Sequence, residues 1–164
     1  MSDFTRDEVL QVVAISKKLQ GSDLSGLDLS KAQLHEADLR KADLQGADLS
    51  KAFLEGADLS EAFLEGANFG GANLRFANMI WVNLYSAILQ GADLQGANLE
   101  RAILHYADLS GANLSGVNLQ GTKMRQANLT EAKLSGTKYD GYTKWPEGFD
   151  PETAGPVLMH DWVD

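Results

Sequence analysis

A large apolar residue falls at every fifth position from 24 to 139, twenty-four times without interruption. The series runs Leu24, Leu29, Leu34, Leu39 and onward to Leu129 and Leu134, with Phe69, Met79, Met124 and Tyr139 in place of leucine. Two residues before each stands a small side chain, most often alanine, as in Ala32, Ala37, Ala42 and Ala47. A five-residue period cannot be an amphipathic helix, because at 3.6 residues per turn the leucines would walk around the axis. Positions two apart point to the same side of an extended backbone, so the alanine and leucine of each unit face inward together. One leucine contributes about 1.5–3 kcal/mol on burial, whereas ordering five backbone residues costs about 5–10 kcal/mol. No unit stands alone. Short units must therefore stack on one another as a solenoid.

Asp or Asn usually separates the alanine from the leucine, and Gly is common at the corners. Such side chains bond nearby backbone groups and hold turns, a structural rather than catalytic role. The blocks Ala47-Asp48-Leu49 and Ala97-Asn98-Leu99 resemble the pentapeptide-repeat family, and the match spans about three-quarters of the chain. The resemblance implies an all-β fold, a right-handed parallel β-helix of quadrilateral cross-section with four pentapeptides per coil. Six coils at about 4.8 Å per layer would make a rod about 29 Å long. The segment Thr143-Lys144-Trp145-Pro146-Glu147-Gly148-Phe149-Asp150-Pro151 is similar to endings in cyanobacterial members. Most members have no assigned activity. Those with roles act by surface contact, as regulators or as DNA mimics that bind gyrase, and the family offers no catalytic residues.

The flanks divide the chain into three segments. Residues 1–21 read as a capping α-helix: Thr5-Arg6-Asp7-Glu8 fits a capping box, Val9, Val12, Val13 and Ser16 share a face, and Gly21 suits the stop. Residues 22–141 are the β-helix. Residues 142–164 form an irregular C-terminal cap, in which Trp145 and Phe149 cover the last layer. Val157, Leu158, Met159 and Trp162 either pack back or project as a peptide, and packing is the expectation.

The net charge of −9 argues against direct nucleic-acid binding. Cysteine is absent, so disulfides and thiolate metal sites are excluded. No secretory signal or membrane span is evident, and a cytoplasmic protein is expected. His35, His105 and His160 are far apart and sit in no metal or nucleophile motif, so neither a cofactor, a metal nor an enzyme activity is expected. A DNA mimic needs acid along its whole surface. Here Asp43, Asp48, Glu55, Asp58 and Glu61 crowd the second coil, while Lys123, Arg125, Lys133 and Lys138 make the sixth basic. An ice-binding face would carry a column of threonines, and Ser30, Ser50, Gly70, Gln90, Ser110, Thr130 is not one.

The outward positions that break the polar pattern are more telling. Phe53, Phe63, Phe76, Ile80, Trp81, Tyr85, Ile88, Ile103 and Tyr106 stand where polar residues are the rule. With four units per coil, Phe63, Ile80, Trp81, Tyr85, Ile103 and Tyr106 fall close together. Contiguous exposed apolar surface with Trp and Tyr marks a protein interface. The alternative is that the rings lie flat and shield backbone. The sequence thus reads as a non-enzymatic protein-binding module centred on Ile80, Trp81 and Tyr85, with a protein partner or a homodimer. A gyrase-directed DNA mimic is the other reading.

Overall fold

The computed structural model describes residues 4–159. Parallel bridges join each Asp/Asn position to the one twenty residues later, from Lys18 with Asp38 to Asn118 with Lys138. Twenty residues make one coil, so each coil holds four pentapeptides. Four columns of bridges define four faces. The first begins Lys18, Asp38, Asp58; the second Asp23, Asp43, Phe63; the third Asp28, Asp48, Asn68; the fourth Gln33, Phe53, Asn73. Each rung pairs through a single residue per face. The N–H of Leu24 donates to the Asp43 carbonyl at 2.7 Å, and the Asp43 N–H returns to the Ser22 carbonyl at 2.9 Å. Regular β-structure longer than this occurs, among the described residues, only where β1 (Lys138–Tyr139) pairs in parallel with β2 (Val157–Leu158).

Corners follow from the same unit. The Ala32 N–H donates back to the Leu29 carbonyl at 3.1 Å, closing a β-turn. Lys31, third in that turn, has φ of 58°, the left-handed value a type II turn demands. The Asp/Asn side chain braces the turn: Asp48 Oδ1 accepts the Ser50 N–H at 2.9 Å, and Asn98 Oδ1 the Glu100 N–H at 3.0 Å. The expected turn-holding role of these residues is thus observed. Inside, the inward leucines from Leu24 to Leu119, Phe69 and the alanines between form one solvent-free column. Towards the C-terminal end threonine replaces alanine, and the buried hydroxyls of Thr122 and Thr137 each donate to a backbone carbonyl at 2.7 Å.

Helix α1 (Arg6–Ile15) opens with the expected box: Thr5 caps the Glu8 N–H, and the Glu8 carboxylate accepts the Thr5 N–H at 2.7 Å. Val9 and Val13 bury into the solenoid core, and the Arg6 guanidinium donates to the carbonyls of Asp28 and Ser30. The helix stops at Ile15 with Ser16 as its C-cap, not at Gly21. Gly21, at φ 69°, is instead a corner of the first coil, because Leu19 already occupies an inward position and is fully buried. The apolar series therefore begins one unit earlier than Leu24. Lysine at 17 and 18 hides that unit, since neither alanine nor Asp/Asn marks it.

At the other end the spacing slips by one residue, with Lys123 bridging Lys144. Asp140 absorbs the extra residue. Its Oδ1 takes the Gly121 N–H at 2.9 Å, where a backbone carbonyl serves in lower coils, and also the N–H groups of Tyr142 and Thr143. Trp145 stacks on Phe149 at 4.8 Å and meets the Tyr139 ring edge-on, and both Trp145 and Phe149 pack on the core. Helix α2 (Pro151–Ala154) then leads to β2, which returns to the open edge of β1, while the side chains of Leu158 and Met159 stay exposed. Trp162 and His160 lie outside the described residues.

Candidate interaction surface

The second face carries, rung by rung, Asp23, Asp43, Phe63, Asn83, Ile103, Lys123 and Lys144. All six residues singled out from the sequence lie on this face or its two corners. Phe63 is half exposed, Ile103 is half buried two rungs above, and Asn83 separates them. Ile80 and Trp81 form the corner where the chain enters the face. Tyr85 lies at the corner where it leaves, one coil below Tyr106, with ring centroids 5.2 Å apart and tilted. Ile80 is less open than its neighbour: it is only partly exposed, whereas Trp81 is 56 % exposed. Phe53, Phe76 and Ile88, also exposed, belong to other faces or corners.

Backbone geometry sharpens the point. Trp81 and Tyr106 occupy left-handed corners at φ 60° and 61°, positions that glycine fills at Gly21, Gly66 and Gly121. A bulky residue there is uncommon and costs about 1–2 kcal/mol. Lys41, Glu61 and Arg101 share the Trp81 column, and Ser86 and Gln126 the Tyr106 column, at similar φ, so side chains other than glycine are common at these corners.

Cations gather above the aromatic zone. The Arg101 guanidinium lies 5.0 Å from the centroid of the Trp81 ring. Together with Ile103, Lys123, Tyr142 and Lys144 they line an open groove of about 620 Å³. Tyr142 is 70 % exposed and was not evident from the repeat, because the inserted residue at 140 moves it out of register. The lower rungs are acidic. Asp23 and Asp43 lie on the face, with Glu61 at one corner, bridged to Lys41 at 3.4 Å, and Glu65 at the other. A hydrogen bond from the Ser25 hydroxyl, then one from its N–H, holds the Asp23 carboxyl below the usual range. On the first face, Arg40 does the same for Asp38 through paired guanidinium bonds at 2.7 and 2.8 Å. This second face runs from acid through aromatic to base.

Elsewhere, His35 lies against Phe53 and the His105 Nδ1 accepts the Arg125 N–H at 3.1 Å, on opposite corners of the coil. Among the described residues no group of three His, Cys, Asp or Glu side chains is placed to hold a metal ion. No described helix is long and apolar enough to cross a membrane.

Comparison with known proteins agrees with this geometry. A family model described as pentapeptide repeats matches in 8 copies, over residues 18–56, 37–75, 52–91, 77–116 and 107–138. Among solved structures, a trypsin-treated variant of QnrB1, a plasmid-mediated fluoroquinolone resistance protein, overlays with a TM-score of 0.73 at 17 % identity, covering 98 % of this chain and 87 % of its own. That likeness is one of fold. The pentapeptide repeat protein alr5209 from Nostoc PCC 7120 is 38 % identical over 59 % of this chain and 84 % of its own, with a TM-score of 0.33. HetL from Nostoc sp. strain PCC 7120, involved in heterocyst differentiation regulation, is 34 % identical over 73 % of this chain and 71 % of its own, at a TM-score of 0.31. No curated protein gives a significant match.

Proposed function

The chain belongs to the pentapeptide repeat family, and from that premise we propose that it is a non-enzymatic, cytoplasmic binding module whose second face engages a protein partner. Membership implies the right-handed sense of the winding. The proposed organisation is an N-terminal cap that ends before the Lys18 bridge, the β-helix from there to about residue 141 and a C-terminal cap over 142–164. A solenoid in which each coil bridges the next in a constant register presents side chains at fixed spacing, which limits the ordering cost of binding. The observation that carries the reading is the grouping of Phe63, Trp81, Tyr85, Ile103 and Tyr106 on one face and its corners, four of them exposed.

The test is a paired capture from cell lysate with wild-type and Trp81→Asp/Tyr85→Asp baits of matched thermal stability. The proposal expects at least one protein held only by the wild type. Equal capture by both baits counts against it. DNA mimicry toward gyrase is the weaker reading, because the second face turns from acid to base along the rod. A supercoiling assay with the purified chain decides it: inhibition would revive the mimic.

A further inference from the structure

We propose that the occupant of the second face is a second copy of this chain, docked antiparallel about a two-fold axis crossing the Asn83 rung. This rests on the reading of that face as an interface and names its partner. The face is self-complementary in that one arrangement. An axis in the plane of the face and perpendicular to the rod keeps each corner over its own counterpart and inverts the order of rungs. Counting outward from Asn83, Phe63 then meets Ile103, Asp43 meets Lys123 and Asp23 meets Lys144.

The corners obey the same rule. Trp81 meets Trp81 and Tyr85 meets Tyr85 on the axis. One coil away, Glu61 faces Arg101 and Glu65 faces His105. Gly66 faces Tyr106, and the space above Gly66 is open, with no atom within 4 Å of where a Cβ would stand. No pair in this register sets like charges together.

Other arrangements fail. A two-fold axis along the rod would set Asp43 against Asp43 and Lys123 against Lys123, and such like-charge contacts exclude a pairing. The first face, inverted about Asn78, opposes Lys18 to Lys138 and has no aromatic centre. The third carries Asp28, Asp48 and Asp108 and no base in its column; the fourth, inverted about its midpoint, sets Phe53 on Asn113 and Gln33 on Lys133, with neither an aromatic centre nor opposed charges. The second face spans seven bridged positions, about 29 Å at 4.8 Å per layer.

The test uses charge exchange on the full chain. One variant carries Asp43→Lys and Glu61→Lys; the other carries Arg101→Glu and Lys123→Glu. Sedimentation equilibrium across a micromolar series should show wild-type dimers, with each variant alone at least about tenfold weaker. An equimolar mixture of the two should dimerise again, since every opposed pair is then of opposite sign; recovery also shows that both variants fold. The chain has no native cysteine, so Asn83→Cys gives a clean positional probe. A short bismaleimide should join two copies through residue 83 but not through Asn98→Cys on the first face. A wild type that stays monomeric, variants that dimerise unchanged, a mixture that does not recover, or cross-linking equal at both positions overturns the pairing. If the wild type is monomeric while Trp81→Asp/Tyr85→Asp still loses a captured protein, only the self-pairing falls. If that capture is also unchanged, the interface reading falls with it.

Discussion

The Asn68 side-chain amide donates to the carboxylate of Asp48 one coil below, Nδ2 to Oδ1 at 3.2 Å, while the same oxygen accepts the Ser50 N–H. The relationship repeats from Asn78 to Asp58, Asn113 to Asp93 and Asn128 to Asp108. Asn above Asp is therefore a ladder, because the amide supplies the donor that a second carboxylate lacks. Asn68→Asp should lower stability by about 1–2 kcal/mol at neutral pH. Stacked carboxylates favour the protonated form, so the deficit should close as pH falls towards about 4 and one carboxyl takes up a proton to donate in place of the amide. Thermal melts of both chains at the two pH values check this. A gap that widens on acidification contradicts it.

Acid should also weaken the wild-type fold through carboxyls whose folded affinity for protons is low. Asp38, bonded by Arg40, and Asp23, bonded by Ser25, lie below their ordinary range. Unfolded, such groups titrate near about 3.9, so the unfolded chain binds more protons as the pH drops. Their stabilisation is complete above that value and is lost as pH falls through the lower folded values. Asp38→Asn should therefore show a shallower decline of Tm than the wild type below about pH 4, with little difference in slope above it.

Core substitutions should separate packing from charge. Leu74 is fully buried mid-rod. Leu74→Ala should cost about 2–5 kcal/mol by leaving a cavity. Leu74→Lys should cost more, because no partner for the ammonium exists in a column of leucine and alanine. Denaturant melts give both values, and a Lys variant as stable as the Ala variant would mean that the column admits water.

How much of this was legible beforehand depends on what a five-residue period can encode. Inward Ala and Leu, the bracing Asp and Asn and the capping box at Thr5 follow from spacing and local motif, whereas the grouping of Trp81 with Tyr85 also needs the four-unit coil that the family resemblance implies, because coil length turns sequence distance into height. The unit at Leu19 was hidden by its lysine neighbours, and the helix end was misplaced at Gly21 because a glycine serves equally as helix stop or turn corner. The slip at Asp140 was illegible. A carboxylate taking the place of a backbone carbonyl leaves no periodic mark, and with it went the position of Tyr142 above Trp81.

Glycine should be well tolerated at the aromatic corners. Trp81→Gly and Tyr106→Gly relieve left-handed strain at φ 60° and 61°, offset by the added freedom of the unfolded chain. Each should leave stability within about 1 kcal/mol of wild type, while binding through the second face is lost. A large loss of stability on either substitution would assign the rings to packing.

The claim that the second face is a working interface is tested most directly by hydroxyl-radical footprinting of the chain in concentrated cell lysate and, separately, purified and dilute. Trp81, Tyr85 and Phe63 should be labelled several-fold less in the lysate, while Phe53 and Phe76, exposed elsewhere on the same rod, are labelled equally in both. Equal labelling of all five residues under the two conditions would contradict the account.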